Sequence, residues 1–478
     1  MENNKTEKKK HELDMTKGSP MKILIQFSIP LLLGNLFQQL YNTVDSIIVG
    51  NFVGTQALAA VGAGFPLMLL LASAYFGFGM AGTIMVSQFY GAKRYDKVQL
   101  SATTIYKSLL LLSIPLSVFG FFAAEPILRF INIPDDGTLA SATLYLKIIF
   151  ASMIGTVGFN LNAGFLQGLG DSVSSVRFLI IAAVINTILD LVFVIPLKMG
   201  VAGAALATVI AQWVSWIIGI FYINRSYKIL HINLLHLDFD KSLFRESMQL
   251  GIPTAIQNSL FSLGALAFEA IINSNGTAYI AGFNSASKVD TFIFLPVQSF
   301  SNAMTTYTGQ NFGGRRLDRI VQGRNAGLII SIVFSVVVGL IMMPFTAASM
   351  RLFTDDPKVI QVGVWYLNSM LPFYTILSVL FIQNGILRGV GKVTFPMVTS
   401  FISLWGARVP AGYLLQNTLG PKYLFLAYPI GWLAGALVSS IYYYFGKWKS
   451  EVERKIKNNE LSDSSAYPNE EWSVEEDN

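Results

Sequence analysis

The sequence predicts an all-α polytopic membrane protein with twelve transmembrane helices in two six-helix bundles, which a pseudo-two-fold axis relates. Three observations predict this fold class. Hydrophobic residues make up 53% of the 478 residues and charged residues only 13%. That charged share is about half the share found in soluble domains. Long apolar runs follow one another with short polar breaks, and several motifs of the first half recur in the second.

Each apolar run is long enough to cross the hydrocarbon core as a helix, which takes about 20 residues. Six runs lie in the first half of the chain, at 22–51, 57–87, 99–124, 138–167, 174–197 and 200–224. Six more follow a polar linker, at 246–273, 279–309, 324–349, 359–389, 394–417 and 421–446. These runs are the first to the twelfth predicted span.

The predicted spans divide the chain into five parts. They are a disordered cytoplasmic tail at 1–20, an N-lobe at 21–225, a cytoplasmic linker at 226–245, a C-lobe at 246–446 and a second cytoplasmic tail at 447–478 whose end is disordered. Both tails are too polar to bury a core. No signal peptide is apparent, so we expect the N-terminal tail to be retained.

Lys and Arg are distributed unevenly between the two sides of the membrane. With the N-terminus in the cytoplasm, 26 of the 34 fall on the cytoplasmic side and only six near the other face. This is the positive-inside pattern, and it predicts a cell (plasma) membrane protein with both termini cytoplasmic. The basic residues behind the net charge of +6 therefore contact lipid headgroups, and we expect no nucleic-acid partner.

An internal repeat relates the two halves. The matching segments are 88–96 with 310–318 at an offset of 222, 145–146 with 366–367 and 164–170 with 385–391 at 221, and 29–35 with 252–258 at 223. Six helices per repeat is an even number, so both halves enter the membrane in the same orientation. They are then related by an axis along the membrane normal and enclose a central cavity.

Asp45 is the carboxylate of the first predicted span and is set among apolar residues. A charged side chain at bilayer depth costs at least ~2.5 kcal/mol, so such residues usually face a cavity, an ion or a partner. Asp45 is therefore a candidate ion-binding residue. The alternative is a hydrogen bond to a neighbouring helix for packing alone.

The fifth and sixth predicted spans add three polar residues at a matching depth. Asn186 and Asp190 are four positions apart and share one helix face, and Thr208 follows a run of small residues that permit close helix approach. Together with Asp45 they form a candidate all-oxygen site in the outer half of the N-lobe. This site could bind Na⁺, with Asp45 and Asp190 as metal ligands, or its carboxylates could share a proton. The alternative is two separately satisfied polar contacts.

In the second half, Glu269 lies near the repeat image of Asp45 but one or two positions out of register. We expect a cavity acid for a cationic substrate, or else a partner for a basic group. Lys288 with Asp290 are expected to be an internal pair or cavity-lining groups, as are Arg408 with Trp405. The other side chains expected to line a substrate cavity are Gln38, Tyr41, Asn42, Asn162, Gln257, Asn258 and Arg408.

Composition and motifs argue against enzymatic chemistry. The chain has no cysteine, so thiolate metal sites and cysteine nucleophiles are excluded. Its three histidines, His11, His231 and His236, fall in polar segments. No phosphate-binding loop of a transport ATPase is present, nor any hydrolase or kinase motif. We expect no enzyme activity, and no cofactor other than H⁺ or Na⁺ as coupling ion.

These residues resemble the bacterial multidrug and toxic compound extrusion (MATE) family over roughly 20–446. The motifs that carry the resemblance are 29–30 with Asn35, 44–45 with Gly50, 59–62, Gly91 with Arg94, 167–171 and 186–190. The resemblance implies two V-shaped bundles, alternating access, and a coupling-cation site at Asp45, Asn186, Asp190 and Thr208. It also implies a coupling or substrate role for Glu269. Sodium-type members carry a tenth-helix carboxylate where Gln383 and Asn384 stand here, which moves coupling to the N-lobe.

We therefore expect a secondary active multidrug efflux transporter that exports small amphipathic, often cationic drugs by antiport with H⁺ or Na⁺. It would work as a monomer in the lipid bilayer. The alternative, from the same superfamily, is a flippase of lipid-linked oligosaccharide or envelope precursor, which would need a strongly basic cavity. A sensor or receptor would need a soluble output domain, which neither tail supplies.

Overall fold

The computed structural model describes residues 12–53, 55–130, 133–135 and 137–457. These residues form α-helices with short 3-10 and π-helical turns, and no β-strand occurs among them. The all-α fold class is therefore confirmed. Most of the two tails that the sequence assigns to disorder, at 1–11 and 458–478, lies outside the described residues.

The described first half contains seven α-helices. They are α1 (Pro20–Ile48), α2 (Thr55–Gly91), α3 (Tyr95–Phe130), α4 (Thr138–Ala151), α5 (Met153–Gly168), α6 (Ser172–Val194) and α7 (Gly200–Ser226). A π-helical turn, Val49–Val53, extends α1, and α4 meets α5 at a bend of 55°. With α4 and α5 taken as one bent segment, six helical segments coincide with the first six predicted spans.

The described second half is more broken. Its α-helices are α8 (Lys241–Asn273), α9 (Thr277–Gly313), α10 (Leu317–Met342), α11 (Thr346–Arg351), α12 (Pro357–Met370), α13 (Tyr374–Gly389), α14 (Thr394–Phe401), α15 (Val409–Thr418), α16 (Ala427–Phe445) and α17 (Trp448–Lys457). Short 3-10 turns join α10 to α11 and α12 to α13, and a π-helical stretch, Ile402–Arg408, joins α14 to α15. These three joined segments, together with α8, α9 and α16, coincide with the last six predicted spans.

Eight of the described helical segments are long and apolar enough to cross a membrane, or nine if α4 and α5 form one span. Helix α9 is not among them, because polar residues lower the hydropathy of both its halves, for example Lys288 in the first and Asn302 in the second. The twelve segments thus match the predicted spans in position, while fewer than twelve qualify by apolarity alone.

Each half has its own hydrophobic core. In the first, side chains of α2, α3, α5 and α7 pack around Tyr106 and Phe165, and Leu230 and Ile232 of the linker are buried against them. In the second, side chains of α8, α9, α12, α13 and α16 pack around Tyr366. The linker is therefore anchored on the first half, while the His231 and His236 side chains stay exposed, as expected of loop residues.

The repeat is visible in the backbone as well as in the sequence. The turns after α2 and α9 place Lys93 and Arg315 in the left-handed region, with φ of 56° and 57°. Each turn is followed by an Arg–Asp pair, Arg94 with Asp96 and Arg316 with Asp318. Two unrelated turns would not share these features, so the predicted internal repeat is confirmed.

Equivalent residues of the repeat form two matching hydrogen bonds that join the halves. The amide of Gln88 donates to the carbonyl oxygen of Gly389 at 2.7 Å, and that of Gln310 donates to Gly168 at 3.1 Å. Both glutamine side chains are buried. The first half therefore contacts the end of α13 in the second half, and the second half contacts the end of α5 in the first.

Helices α2 and α9 cross at backbone contact beside these bonds. A Cβ atom on Gly91 would lie 1.9 Å from the carbonyl oxygen of Gln310, and one on Gly313 would lie 1.8 Å from that of Gln88. Only glycine permits so close an approach at these two positions. The crossing holds the two halves together at the end of the molecule where α2 and α9 finish.

Residues 12–19, which the sequence assigns to a disordered tail, instead pack across this crossing. Met15 is fully buried, its amide donates to Gln310 Oε1 at 2.9 Å, and its carbonyl oxygen accepts from Asn311 and Arg319. On the other half, the amide of Leu13 donates to the carbonyl oxygen of Gly170. The expected boundary at residue 20 is wrong, because backbone groups and one apolar side chain anchor a segment whose composition is polar.

A substitution at the crossing tests its role in stability. Gly91→Ala forces α2 away from the α9 backbone, and overpacking of this kind costs about 1–3 kcal/mol. The Tm of the detergent-solubilised protein should fall. Gly62→Ala in the same helix is the control, because its Cβ would meet no atom within 4 Å. Equal Tm values for the two variants would show that the crossing is not tightly packed.

Candidate functional site

Asp45 lies near the end of α1, one turn before the π-helical turn at Val49–Val53. Helix α1 packs along α6, and the carboxyl groups of Asp45 and Asp190 lie within hydrogen-bonding reach of each other. The structure thus brings together two carboxylates that are 145 positions apart in the sequence. π-Helical turns occur frequently at functional sites.

Helix α6 places two of the predicted residues on its buried face. Asp171 caps the start of α6 by accepting a hydrogen bond from the Ser174 amide at 2.8 Å, which fixes where the helix begins. Asn186 and Asp190 then follow one turn apart, with exposures of 1% and 0%. Residues four apart lie on one helix face, as the sequence predicts.

Helix α7 completes the cluster through its small residues. A Cβ atom on Gly203 would lie 3.0 Å from Phe193 Cβ, so the connection from α6 and the start of α7 approach closely. Thr208 is then in reach of α6, and the Asn186 amide donates to its Oγ1 at 3.2 Å. The four residues predicted as a coupling-ion site therefore lie together.

Most oxygens of the cluster are acceptors, and the Asn186 amide donates to Thr208 rather than to a carboxylate. Asp45 Oδ1, both carboxylate oxygens of Asp190 and Asn186 Oδ1 are buried, and none accepts a hydrogen bond from a residue that the structure describes. Ionised carboxylates can only accept hydrogen bonds, and unpaired buried charges are strongly unfavourable. A proton, a hard cation or a water molecule could therefore satisfy these oxygens.

Two tyrosines border the cluster. The Tyr41 hydroxyl approaches Thr208, and Tyr145 of α4 lies close enough to Asp45 and Asp190 to feel their charge. Tyr41 was expected in the substrate cavity, whereas the sequence analysis did not assign Tyr145 to any site. The recurrence of Tyr145 as Tyr366 is the signal that could have identified it.

A small enclosed cavity of about 40 Å³ adjoins Thr208. Thr156, Gln212 and Tyr75 contribute its polar wall, and the Thr156 hydroxyl donates to the Gln212 side chain. A cavity of this size and polarity can hold a water molecule. It extends the polar region from the carboxylates one turn further along α7.

Two of the residues expected in a substrate cavity are enclosed in packed interfaces instead. Asn162 accepts from the Tyr106 hydroxyl and donates to the carbonyl oxygen of Trp216 at 2.9 Å, with 2% exposure. Gln257 donates to Ser400 Oγ at 2.8 Å and is also buried. The cavity role expected for these two is wrong, because neighbouring helices already use their amide groups.

The remaining cavity candidates are more open. Asn42 is exposed and its side-chain oxygen accepts from Gln38 at 3.2 Å, while Asn258 and Glu269 of α8 are partly buried. Glu269 forms no ion pair with a described residue, so the alternative of a basic partner gains no support, and its role as a cavity acid stays a prediction.

The expected pair between Lys288 and Asp290 does not form. Lys288 is exposed and lies over the ring of Phe353, whereas Asp290 accepts from the hydroxyls of Tyr366 and Tyr374 at 3.1 Å and 2.5 Å. Residues two apart on a helix point in different directions. Arg408 likewise lies over Tyr428 rather than beside Trp405.

Gln383 and Asn384 stand at the positions where the resemblance implies a carboxylate. Both are buried; Gln383 donates to Ser440 Oγ at 3.0 Å and Asn384 accepts from Thr399 Oγ1 at 3.3 Å. Hydroxyl partners thus satisfy these amides within the second half.

A cavity of about 800 Å³ opens between α8, α14 and α16, away from the carboxylates. Its wall is apolar apart from a few side chains that include Arg245, Gln249 and Lys392. Its lining includes no carboxylate and none of the four residues of the candidate ion-binding cluster.

Two related helical halves, several membrane-spanning helices and an acceptor cluster within one half define the architecture of a secondary membrane transporter. The MatE family model matches the chain twice, over residues 30–192 and 253–414. The chain therefore belongs to the MatE family of membrane transporters. The two matches begin 223 positions apart, which agrees with the offset of the internal repeat.

Relatives and solved structures agree with this assignment. The chain is 30% identical over 441 residues to the probable multidrug resistance protein YpnP of Bacillus subtilis, covering 91% of this chain and 98% of that protein. It is 27% identical to the probable multidrug resistance protein NorM of Thermotoga maritima, covering 90% and 94%. An outward-facing multidrug resistance MATE family transporter of the MOP superfamily matches in fold, with a TM-score of 0.85, 21% identity and coverage of 93% and 99%.

Because the oxygens of this cluster have few donors, we expect the thermal stability of the protein to depend on Na⁺ and H⁺. Na⁺ or acidification should raise the Tm of the wild-type protein, because a ligand at 100 times its Kd stabilises the folded state by about 2.7 kcal/mol. Asp190→Asn removes one charge and supplies an amide donor, so the variant should lose this rise. Glu125→Gln is the control, since Glu125 pairs with Arg129 at an exposed position. An unchanged rise in Asp190→Asn would place the responsive ion elsewhere.

Proposed function

We propose that the protein is a secondary active multidrug exporter that moves small amphipathic, often cationic compounds by antiport with H⁺ or Na⁺. The observation that carries this proposal is the set of buried oxygens, Asp45 Oδ1, Asn186 Oδ1 and both Asp190 oxygens, that accept no hydrogen bond from a described residue. An ion that enters and leaves this cluster would supply the free energy for export. The names of the relatives, multidrug resistance and multidrug export proteins, support the class of substrate.

Helix α1 is the element that can connect ion binding to the opposite half. One end carries Asp45, which faces Asp190 on α6. Near the middle of the helix, the Asn35 amide donates to Ser299 Oγ of α9 at 3.1 Å. A shift of α1 on neutralisation of Asp45 would therefore alter the contact between the halves. In our proposal, ion entry lowers the affinity for drug, and return of the ion to the cytoplasm resets the cycle.

In such a cycle the transporter is closed on one side of the membrane at a time. Two hydrogen bonds, from Gln88 and Gln310 to their glycine partners, support closure on one side. They join the two halves where α2 and α9 end, which the Lys and Arg distribution assigns to the cytoplasm. We propose that this closure alternates with closure of the other face. We also propose that both termini are cytoplasmic and that the protein works as a monomer in the plasma membrane.

The flippase alternative gains little from the structure. A flippase of pyrophosphate-linked lipids needs several basic side chains in its cavity. Of the two basic residues considered for that role, Lys288 is exposed over Phe353, and only Arg408 is buried. A lipid-flipping assay beside drug export would separate the two functions.

Removal of the Asp45 carboxylate tests its part in coupling. Asp45→Asn should abolish ethidium efflux by everted membrane vesicles while membrane expression persists, because a neutral amide cannot exchange a proton or a cation. Gln249→Glu offers a control that alters charge at the cavity between α8, α14 and α16, and it should retain efflux. Undiminished efflux by Asp45→Asn would remove Asp45 from the mechanism.

The coupling ion can be identified from transport in sodium-free buffer. If H⁺ alone drives export, ethidium efflux should persist without Na⁺ and increase with the pH gradient, whereas sodium-coupled export should stop. Efflux that follows neither gradient would contradict antiport at the Asp45–Asp190 cluster.

A further inference from the structure

The cavity of about 800 Å³ between α8, α14 and α16 has no part in the proposed transport cycle. Gly391 and Lys392 form part of its wall. They lie two and three positions after Gly389, the glycine that accepts a hydrogen bond from Gln88 of the first half. The cavity therefore lies beside the junction of the two halves. The distribution of Lys and Arg assigns this end of the molecule to the cytoplasm.

Two basic side chains line the cavity near this end. Arg245 lies in the second turn of α8, and Lys392 lies in the turn before α14. Arg245 is exposed and forms no ion pair with another residue that the structure describes. No carboxylate of a described residue lines the cavity. Its polar end therefore presents positive charge.

The wall becomes apolar toward the interior of the membrane. Pro253 lies eight residues after Arg245, which is about 12 Å along a helix. Met248 and Ile252 follow Arg245 by three and seven positions and share its face of α8, and Val398 of α14 lines the same cavity. Ile252 is 47% exposed and Val398 38%. An acyl chain can therefore lie against this wall below the two cations.

A pair of stacked rings forms another side of the cavity. Phe395 of α14 and Tyr442 of α16 have ring centroids 3.6 Å apart and planes 14° apart, and both rings line the cavity. The stack joins α14 to α16 and supplies a flat apolar surface. A molecule in the cavity is thus held by three helices, unlike a lipid on the convex outer face of a single helix.

Helix α8 connects this cavity to the first half. A Cβ atom on Gly77 of α2 would lie 2.6 Å from the carbonyl oxygen of Gly251, and one on Gly251 would lie 2.4 Å from the Phe78 ring. Helix α8 is thus held closely against α2, while α14 and α16 pack within the second half. A molecule that fills the cavity would contact all three helices and so stabilise the junction.

We propose that this cavity binds an anionic phospholipid of the cytoplasmic leaflet, with its phosphate between Arg245 and Lys392 and its acyl chains along α8 and α14. Charge complementarity selects this occupant: basic pockets between membrane helices on the cytoplasmic side bind anionic headgroups. The two cations would repel a cationic drug, because the lining offers it no acid. The site goes beyond the export function and does not require it.

The test measures lipid binding by the full chain purified in detergent. Anionic phosphatidylglycerol and zwitterionic phosphatidylcholine with the same acyl chains are titrated separately, and native mass spectrometry counts the bound lipid. Each basic side chain near the membrane surface strengthens binding of an anionic lipid about fivefold. The wild-type protein should therefore bind phosphatidylglycerol about 25-fold more tightly, and the double variant Arg245→Gln, Lys392→Gln should lose this preference. Equal affinity of the wild-type protein for both lipids would overturn the inference.

Further variants separate the cavity from general surface charge. Arg225→Gln with Lys228→Gln removes two exposed charges on the same side of the membrane but outside the cavity, and should leave the preference intact. An equal loss in this control would overturn the inference. Val398→Trp narrows the cavity without a change in charge, so it should also weaken binding. If the double variant does not fold, Arg245→Gln alone should lower the affinity about fivefold, while Arg245→Lys retains it.

Two competitors distinguish the lipid from other occupants. Phosphatidylglycerol should raise the Tm of the wild-type protein, because a ligand that binds only the folded state stabilises it, whereas soluble glycerol 3-phosphate should not. An equal rise with glycerol 3-phosphate would indicate a site for soluble phosphates, and displacement of the lipid by ethidium would indicate a drug site. Either result overturns the inference. A failure of dye efflux would leave it standing, since lipid binding is measured without transport.

Discussion

Two neighbouring carboxylates, the fully buried Asp190 and the partly buried Asp45, are the constraint on which the rest of this molecule depends. Asp45 Oδ1 and both carboxylate oxygens of Asp190 accept no hydrogen bond from a described residue that carries a donor, although α1, α6 and α7 hold the two side chains in place. A purely structural contact would have a serine, threonine or amide donor at this point, as Gln383 and Asn384 have in the other half. The free energy left unsatisfied here is what an arriving proton or cation can recover.

The internal repeat provides the backbone framework in which these two carboxylates are held. The halves share turn conformations, matching Arg–Asp pairs and reciprocal glutamine contacts, so the backbone framework is common to both. Their polar interiors have diverged. In the first half both Asp190 oxygens lack a donor among the described residues, whereas in the second Asp290 has two tyrosine donors and Arg408 lies over the ring of Tyr428. One backbone framework therefore carries two chemically different polar interiors.

Much of this could be predicted from the sequence, for identifiable physical reasons. Apolar runs and the repeat fix the helices, and depth arguments brought Asp45, Asn186, Asp190 and Thr208 together because helix rise per residue is constant. Side-chain direction was harder: Lys288 and Asp290 are neighbours in sequence but diverge around the helix. Asn162 and Gln257 could not be recognised as packing residues, since a polar side chain in a membrane helix can face a cavity or a neighbouring helix equally well. The ordered segment at 12–19 depends on backbone bonds to Gln310 and Arg319, which composition does not reveal.

The most direct test of the central claim is the movement of ions driven by substrate. In proteoliposomes, a gradient of transported dye should drive H⁺ or Na⁺ in the opposite direction through the wild-type protein. The same gradient should drive no ion through Asp190→Asn, because the exchangeable site has lost a charge. Dye transport by the wild-type protein without any counter-movement of an ion, or undiminished ion movement through Asp190→Asn, would contradict the account.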